Sequence, residues 1–192
     1  MKIFSYVIPR DYGFAPNPFY GYCTLGTCKP DIRKAANVGD IIIGTRGSPK
    51  TKELVYFMEV EEILTFDQYW TDSRFAEKKP DLYKSKKKAF GDNIYHRTNT
   101  GKWLQEDSHH TNEDGSTCQE NIDTDTKSDR VLISRNFAYW GGNSIEIPPT
   151  LRTLIKKGIG QKNKFDNAFK ITVRDWLFSH ERGYLGNPGA WK

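Results

Sequence analysis

The sequence predicts a mixed α+β fold of short strands with peripheral helices and a helical extension at its carboxyl end. Apolar stretches rich in β-forming residues recur near the amino terminus, in the middle of the chain and again near residue 131. Segments with helical spacing and polar caps lie between and after them. The 192 residues are few enough for one compact domain, so we expect a single domain over 1–192.

The first part of the chain contains three predicted strands. Residues 2–8 carry β-formers, and this segment lacks the cleavage site of a secretion signal. A turn at Gly39 and Asp40 leads into the apolar run 41–45, which predicts a buried strand. Residues 53–63 form the next strand, and the polar turn between these two strands predicts a hairpin. A short helix over 30–36 precedes them, with Pro30 near its start.

Helices and a polar insertion dominate the rest of the chain. Thr65 is a suitable N-cap for the helix that follows it. The segment 106–130 is rich in Ser, Thr, Asn and Asp, so we expect a mobile insertion that buries too little apolar surface to offset its ordering entropy. We expect the core to span 1–148, followed by a helical segment over 149–192. The elements predicted after residue 64 are helices over 66–77, 149–158 and 165–182 and a strand over 131–141.

Charge and cysteine content restrict the class of protein. Lysine and arginine number 29 against 24 acidic residues, giving a net charge of +5, which is compatible with a polyanionic partner. No apolar run approaches the roughly 20 residues of a membrane-spanning helix, so we expect a cytoplasmic protein without membrane contact. The three cysteines, Cys23, Cys28 and Cys118, show no zinc-site spacing, so reduced thiols and no bound metal are expected.

Several blocks of the sequence combine unusual residue types. They are FAPNPFYGYCTLGTCKPDIR (14–33), VGDIIIGT (38–45), FDQYWTDSRF (66–75), GDNIYHR (91–97) and VLISRNFAYWG (131–141). Together they resemble the nucleotide modification associated domain family, type 2. The resemblance covers most of residues 1–148 and implies a link to modified DNA bases in bacteria and phages, without fixing an activity.

A second resemblance concerns the fold. A Gly-Asp turn into a buried strand, a polar hairpin loop and a further strand are similar to the core of PUA-like and EVE-like domains. This implies a small β-barrel with helices at its ends, whose strands here would be 1–8, 40–45, 53–63 and 131–137. Such domains commonly hold a base in an aromatic-walled pocket, so fold-level analogy suggests the same here.

The loop over 11–33 combines aromatic rings with amide and cationic groups. Rings stack on a base, an asparagine binds a base edge, and lysine or arginine holds phosphate. The base-binding candidates are Phe14, Asn17, Phe19 and Tyr22, and the phosphate-binding candidates are Lys29 and Arg33. Cys23 is a candidate nucleophile if its pKa is lowered, with Asp11 as an acid–base candidate. The alternatives are a structural loop whose rings fill the barrel end, and a small buried thiol.

The segment GDNIYHR places five polar side chains in six residues, with SHH following shortly after. Asn93 and Tyr95 suit base recognition, and Arg97 suits phosphate. Asp92 and His96, with His110 nearby, are acid–base candidates. Tyr139 and Trp140 at a strand end are further candidates for a pocket wall, although aromatic residues at this density also build cores. The lysines over 78–88 either contact phosphate or form a solvated face.

Two classes of function follow from these candidates. The first is a binding module whose 14–23 loop and GDNIYHR segment converge on one pocket for a modified base or nucleotide in DNA. The alternative is an enzyme of base hypermodification that hydrolyses or transfers a substituent through Cys23, aspartate and histidine groups. A third is an assembly subunit that contacts other proteins of a modification system. The P-loop, GxGxxG, GxSxG and zinc-deaminase motifs do not occur in the sequence, so no cofactor is expected.

Overall fold

The computed structural model describes residues 1–191. Its strands are β1 (Ile3–Ile8), β2 (Cys23–Leu25), β3 (Ile41–Arg46), β4 (Glu53–Glu59), β5 (Glu62–Leu64), β6 (Tyr95–Arg97), β7 (Trp103–Gln105), β8 (Val131–Ser134), β9 (Phe137–Tyr139), β10 (Ile145–Glu146), β11 (Gln161–Lys162) and β12 (Gly183–Tyr184). Its α-helices are α1 (Pro30–Ala35), α2 (Phe66–Thr71), α3 (Lys86–Ala89), α4 (Gln119–Asp125) and α5 (Asn167–Phe178), and 3₁₀-helices cover Ser73–Lys78, Gly141–Asn143 and Pro149–Leu154. Across residues 1–191, no helix has both the length and the apolar character required to cross a membrane.

Two compact units make up the chain, and each is assembled from separate stretches of sequence. The first contains Met1–Tyr12, Ala36–Glu61 and the chain from Ser134 onward. The second contains Gly13–Ala35 and Glu62–Ile133. The chain therefore passes from one unit to the other four times. That the whole chain behaves as one domain stays a prediction.

The first unit is built on a mixed sheet with the strand order β11-β1-β3-β4-β9-β12, and β10 pairs with β4. β1 and β3 run parallel, with Ile3 opposite Ile41. β3 and β4 form the predicted antiparallel hairpin, with Ile43 opposite Phe57. The predicted strands at 2–8 and 41–45 are thereby confirmed. The local pattern did not predict that the first of them pairs in parallel with β3.

The core of the first unit lies against this sheet. Ile3, Ile43 and Phe57 belong to an apolar cluster that also takes in Val173 and Leu177 of α5. The spacing of those two α5 residues places them on one helix face. Asp166 caps this helix by accepting a hydrogen bond from the Phe169 N–H at 2.8 Å. The predicted helix over 165–182 therefore exists but is shorter at both ends.

The second unit contains two small sheets, one with the order β2-β8-β5 and one that pairs β6 with β7. Its helix α2 begins with the predicted Thr65 cap, since Thr65 and Gln68 exchange the two hydrogen bonds of a capping box. The predicted helix over 66–77 is interrupted at Asp72, whose extended backbone ends α2 and whose carboxylate caps the following 3₁₀-helix.

The predicted PUA-like barrel is not found, because none of the sheets formed by residues 1–191 closes on itself. The predicted strand over 131–141 divides into two pieces that join different sheets: β8 pairs with β5, while β9 pairs with β4. The Glu61 carboxylate holds the turn between them by accepting the N–H groups of Arg135 and, at 3.0 Å, Asn136. The β-forming residues were identified correctly, but they do not form one continuous strand.

The polar segment 106–130 is more ordered than its composition predicts. It contains α4, on which Ile122 and Asp125 lie three residues apart and are both buried. One apolar residue and one hydrogen-bonded carboxylate anchor this helix of about two turns. The segment therefore contains one packed helix, and its mobility stays a prediction.

Candidate active site

Four side chains meet in the second unit, and each comes from a different part of its sequence. Cys28 lies two residues before α1, and Tyr95 is the first residue of β6. His110 lies in the loop after β7, and Asp125 is the last residue of α4. We call these four residues the Cys28 cluster. Asp125 and Tyr95 are fully buried, whereas Cys28 and His110 are half-buried.

The contacts within the Cys28 cluster run in series. Cys28 Sγ lies 3.6 Å from His110 Nε2, and His110 Nδ1 lies 3.0 Å from Asp125 Oδ2. The Tyr95 hydroxyl donates to that same carboxylate oxygen at 3.0 Å. A thiol, an imidazole and a carboxylate are thereby joined in the order found in nucleophilic catalytic triads.

The backbone at Cys28 is held in an unusual conformation. Its φ angle is +56°, and that of Lys29 is +45°. Non-glycine residues rarely adopt this region, and each costs roughly 1–3 kcal/mol. The Cys28 N–H donates to Asp125 Oδ1 at 2.7 Å, so the carboxylate that contacts the histidine also fixes the backbone of the cysteine. Such local strain is typical of functional positions.

The loop that carries His110 is fixed by hydrogen bonds to its backbone. The His110 carbonyl accepts bonds from Asn121 Nδ2 at 2.7 Å and from Gln105 Nε2 at 3.1 Å. Its N–H donates to Ser108 Oγ at 3.2 Å. On one side the imidazole packs against the Phe14 ring, with 4.6 Å between ring centroids. His110 is therefore positioned before any substrate arrives.

Electrostatics keep a proton on His110. Burial works against its charge, but the hydrogen bonds and charges of Asp125 and Cys28 outweigh this and raise the pKa of the imidazole to about 10. At neutral pH both ring nitrogens are therefore donors. Burial and the Asp125 carboxylate raise the pKa of Tyr95, so its hydroxyl stays a neutral donor to Asp125.

The same groups are ligand types for a metal ion, and one ligand atom from each of Cys28, His110 and Asp125 lies within 4.8 Å of the others. A metal ion requires ligand atoms that point at one position. Here the sulfur faces Nε2 and the carboxylate faces Nδ1, and these nitrogens point away from each other. The series arrangement favours proton transfer over metal binding, and the absence of a metal stays a prediction.

The comparisons place the whole chain in one family. A family model described as nucleotide modification associated domain 2 matches residues 1–192. The chain belongs to this family. Searches of curated proteins and of solved structures gave no match. The family name links this nucleotide modification associated domain to the modification of nucleotides, which agrees with the resemblance seen in its sequence blocks.

Cys23, the predicted nucleophile of this modification-associated domain, lies away from solvent in a second polar cluster. Lys78 donates to Asn17 Oδ1 at 2.6 Å and to the Tyr22 carbonyl at 3.0 Å. Asp92 accepts bonds from Thr24 and Tyr69 at 2.7 and 2.8 Å. Burial raises the pKa of the Cys23 thiol, which opposes formation of the nucleophilic thiolate.

The predicted phosphate-binding arginines make bonds within the domain. Arg33 is fully buried and donates to the Cys28 carbonyl at 2.8 Å and to the Asp125 carbonyl at 2.6 Å. Arg33 therefore stabilises the backbone at Cys28 and at Asp125. Arg97 bridges Asp67 and Asp129, at 2.7 Å from each. Lys29 is half-buried beside Cys28.

The 14–23 loop and the GDNIYHR segment both belong to the second unit, and most of their predicted base-binding groups are buried. Asn17 is fully buried, and its amide donates to the Phe90 carbonyl at 2.9 Å. Asn93 is buried and donates to the Tyr69 carbonyl at 2.9 Å. Phe14 and Phe19 are also buried, and half-buried Tyr22 makes an edge contact with the Phe75 ring. Base binding by these residues stays a prediction.

The other candidates lie elsewhere in the domain. In the first unit, the Tyr139 hydroxyl donates to Asp11 at 2.6 Å, and Trp140 is part of the apolar core. In the second unit, His96 bonds to Glu106 at 2.7 Å and stacks on Trp70 with 4.1 Å between ring centroids. His110 and Tyr95 are the two predicted site residues that enter the Cys28 cluster.

Neither Cys28 nor Asp125 was predicted from the sequence as a site residue. Asp125 stands in a polar segment, and its burial is signalled only by Ile122 three residues earlier, since residues at this spacing share one helix face. Cys28 stands in the motif TCKP, whose proline starts α1. Nothing in the spacing of these residues indicates that the loop would bring the sulfur to His110.

Proposed function

We propose that this chain is a thiol-dependent enzyme of nucleotide modification that hydrolyses or transfers a substituent carried by a nucleotide base. The supporting observation is the series from Cys28 Sγ through His110 to Asp125 Oδ2, with contacts of 3.6 and 3.0 Å. Cys28 is the nucleophile, His110 is the acid and base, and Asp125 orients the imidazole. The nucleotide as substrate class comes from the family.

The proposed reaction has two halves. In the first, the Cys28 thiolate attacks an acyl-type carbon of the substituent and forms a carbon–sulfur bond. The bond from that carbon to nitrogen or oxygen breaks, and the leaving atom takes the proton from His110 Nε2. In the second, the now neutral His110 takes a proton from water or from an acceptor hydroxyl or amine. That oxygen or nitrogen attacks the carbon, the carbon–sulfur bond breaks, and the thiolate returns.

The surroundings of the cluster suit this sequence of steps. Asp125 accepts from His110, from the Tyr95 hydroxyl and from the Cys28 N–H, so three bonds hold the carboxylate in place. The carboxylate favours the charged imidazolium, which is the form present before attack. The hydrogen bonds to the His110 backbone limit movement of the ring away from the sulfur.

The three cysteines allow the nucleophile to be tested within one molecule. The folded protein is treated briefly with iodoacetamide at neutral pH, and modification of each cysteine is quantified by peptide mass spectrometry. We expect Cys28 to react at least about tenfold faster than Cys118, and buried Cys23 to react last. Equal rates at Cys28 and Cys118 would contradict the proposal.

Turnover is tested on nucleosides and nucleotides that carry acyl or amide substituents on the base. Products are identified by mass spectrometry, and a covalent adduct is sought on the Cys28 peptide. Cys28→Ala should abolish turnover, while the matched variant Cys118→Ser should retain it. Turnover that survives Cys28→Ala would exclude this nucleophile.

Base binding without catalysis is the second candidate, and a cavity in the second unit favours it. The cavity has a volume of about 260 Å³ and is lined by Trp70, Lys79 and Tyr83 among others. The Tyr83 side chain is fully exposed, which is unusual for a large ring without a partner to stack on. If this candidate is right, Tyr83→Ala weakens nucleotide binding about tenfold, whereas Cys28→Ala leaves it intact. Fluorescence titration with modified and plain nucleotides measures both.

A further inference from the structure

The loop between the 3₁₀-helix Pro149–Leu154 and α5 has an apolar tip. Ile159 stands at this tip and is fully exposed. Gly158 and Gly160 flank it, with φ angles of +72° and +91°, a conformation that glycine adopts without strain. The sequence of the loop, 156–164, is KKGIGQKNK, and we call it the lysine loop.

The lysine loop carries positive charge that no described carboxylate pairs with. Between Glu146 and Asp166 the sequence has five basic residues and no acidic one. Arg152 pairs with Glu146, and the Asp166 carboxylate caps α5. In the part of the chain that the structure describes, none of the remaining four forms an ion pair with a carboxylate. These four are Lys156, Lys157, Lys162 and Lys164.

Among the described residues, three lysines outside the lysine loop are ion-paired. Lys50, Lys84 and Lys88 each lie within 3.6 Å of a carboxylate. A solvated face usually mixes charges in this way. The lysine loop instead combines uncompensated charge with a fully exposed branched aliphatic side chain, and these two features together indicate a contact surface.

We infer that the lysine loop binds duplex DNA, with its lysines on the phosphates and Ile159 against the groove. Unpaired lysines gain affinity by releasing counterions from phosphate. Aliphatic wedges such as isoleucine insert between base steps of duplexes, whereas proteins of single strands use aromatic rings for stacking. This surface goes beyond the proposed catalytic function and does not depend on it.

The test compares full-length variants that lose the same charge at different places. Lys157→Gln combined with Lys164→Gln removes two lysines of the loop. Lys50→Gln combined with Lys84→Gln removes two lysines that are already ion-paired. Each protein is titrated against a fluorescein-labelled duplex of about 20 base pairs, and the affinity is measured from roughly 50 to 200 mM salt.

We expect the loop variant to flatten the slope of log affinity against log salt by about two, because each phosphate contact contributes about 0.9. The charge-matched variant should leave that slope nearly unchanged. Ile159→Ser should weaken binding roughly threefold to tenfold without changing the slope. Circular dichroism and melting temperature verify that each variant is folded.

Three results would overturn the inference. One is the absence of duplex binding by the native protein. Another is an equal loss for the loop variant and the charge-matched variant. The third is Ile159-dependent binding to phosphatidylserine–phosphatidylcholine vesicles without duplex binding, which would assign the loop to a membrane surface. Binding is measured without turnover, so none of these results bears on Cys28 as nucleophile.

Discussion

Two cysteines only five residues apart have contrasting surroundings in the same unit. Cys23 is fully buried in β2, near the charged groups of Lys78 and Asp92. Cys28 is half-buried and contacts His110, which in turn contacts Asp125. Each region therefore contains a thiol, a basic group and a carboxylate, and the difference between them lies in solvent access and hydrogen bonding.

Burial moves the groups around Cys23 toward their uncharged forms. It raises the pKa of Cys23 and of Asp92 and lowers that of Lys78 to about 8. For His110, beside Cys28, the pKa shift goes the other way, because hydrogen bonds and charges outweigh burial and keep the imidazole charged. The same residue types therefore have different protonation states in the two regions, set by the balance between desolvation and hydrogen bonding.

The largest expected effect is the difference in activity between variants of the two cysteines. Cys28→Ala should lower turnover by at least about a thousandfold, since it removes the nucleophile. Cys23→Ala removes a buried sulfur and should mainly lower the free energy of unfolding, leaving turnover per folded molecule unchanged. Initial rates are measured after the folded fraction of each variant has been determined. Loss of turnover in Cys23→Ala alone would reverse the comparison.

The next effect is a loss of stability when the polar cluster around Cys23 is changed. Lys78→Met leaves the oxygens of Asn17 and Tyr22 without their buried donor, which should lower the free energy of unfolding by roughly 2–4 kcal/mol. The rate at which Cys28 reacts with iodoacetamide should not change in the folded protein. Urea unfolding measures the stability, with Lys84→Met as an exposed lysine control. A stability equal to that of the control would contradict a structural role for Lys78.

A smaller effect tests the role of Asp125 through His110. Asp125→Asn removes the charge that holds the imidazolium and should slow alkylation of Cys28 at neutral pH by roughly tenfold or more. The pH profile of alkylation should also shift, which a purely structural change would not cause. Asp123→Asn is the matched control, because Asp123 is an exposed residue of the same helix and accepts a bond from the nearby Gln119 side chain. Identical pH profiles of Cys28 alkylation for Asp125→Asn and Asp123→Asn would argue against a functional series from Cys28 through His110 to Asp125.

The last effect is spread over a range of pH. The pKa of His110 is raised to about 10 in the folded state from 6.5 when unfolded, so the folded state binds more protons in between. The stabilisation is fully present below pH 6.5 and is lost as the pH rises through about 10. Unfolding free energies of native protein and His110→Gln should therefore converge over this range. Unfolding free energies that diverge as the pH rises would contradict the predicted direction of this pH dependence.

Local patterns predicted much of the fold. The strands at 2–8 and 41–45, the hairpin and the Thr65 cap follow from residue types close together in sequence. The parallel pairing of β1 with β3 and the division of 131–141 between two sheets depend on long-range contacts. Such contacts leave no periodic pattern in the sequence, so the barrel expectation failed although its strands were largely correct.

The candidate site was less predictable than the fold. His110 and Tyr95 were predicted as site residues because they stand beside other polar residues in the sequence. Cys28 was missed because its position depends on a left-handed backbone and on the N–H bond to Asp125. The segment that carries Asp125 has the composition of a solvated loop, and only the structure reveals that its helix brings a buried carboxylate to the histidine.

The interleaved order of the two units has a consequence for protein synthesis. All stretches of the second unit have been translated by Ile133, including every residue of the Cys28 cluster. The first unit begins at Met1, yet β1 pairs with β11 at Gln161–Lys162, and Asp11 accepts a bond from the Gly189 N–H. On the ribosome, the second unit can therefore finish folding first, while β1 waits for the residues of β11 and for Gly189.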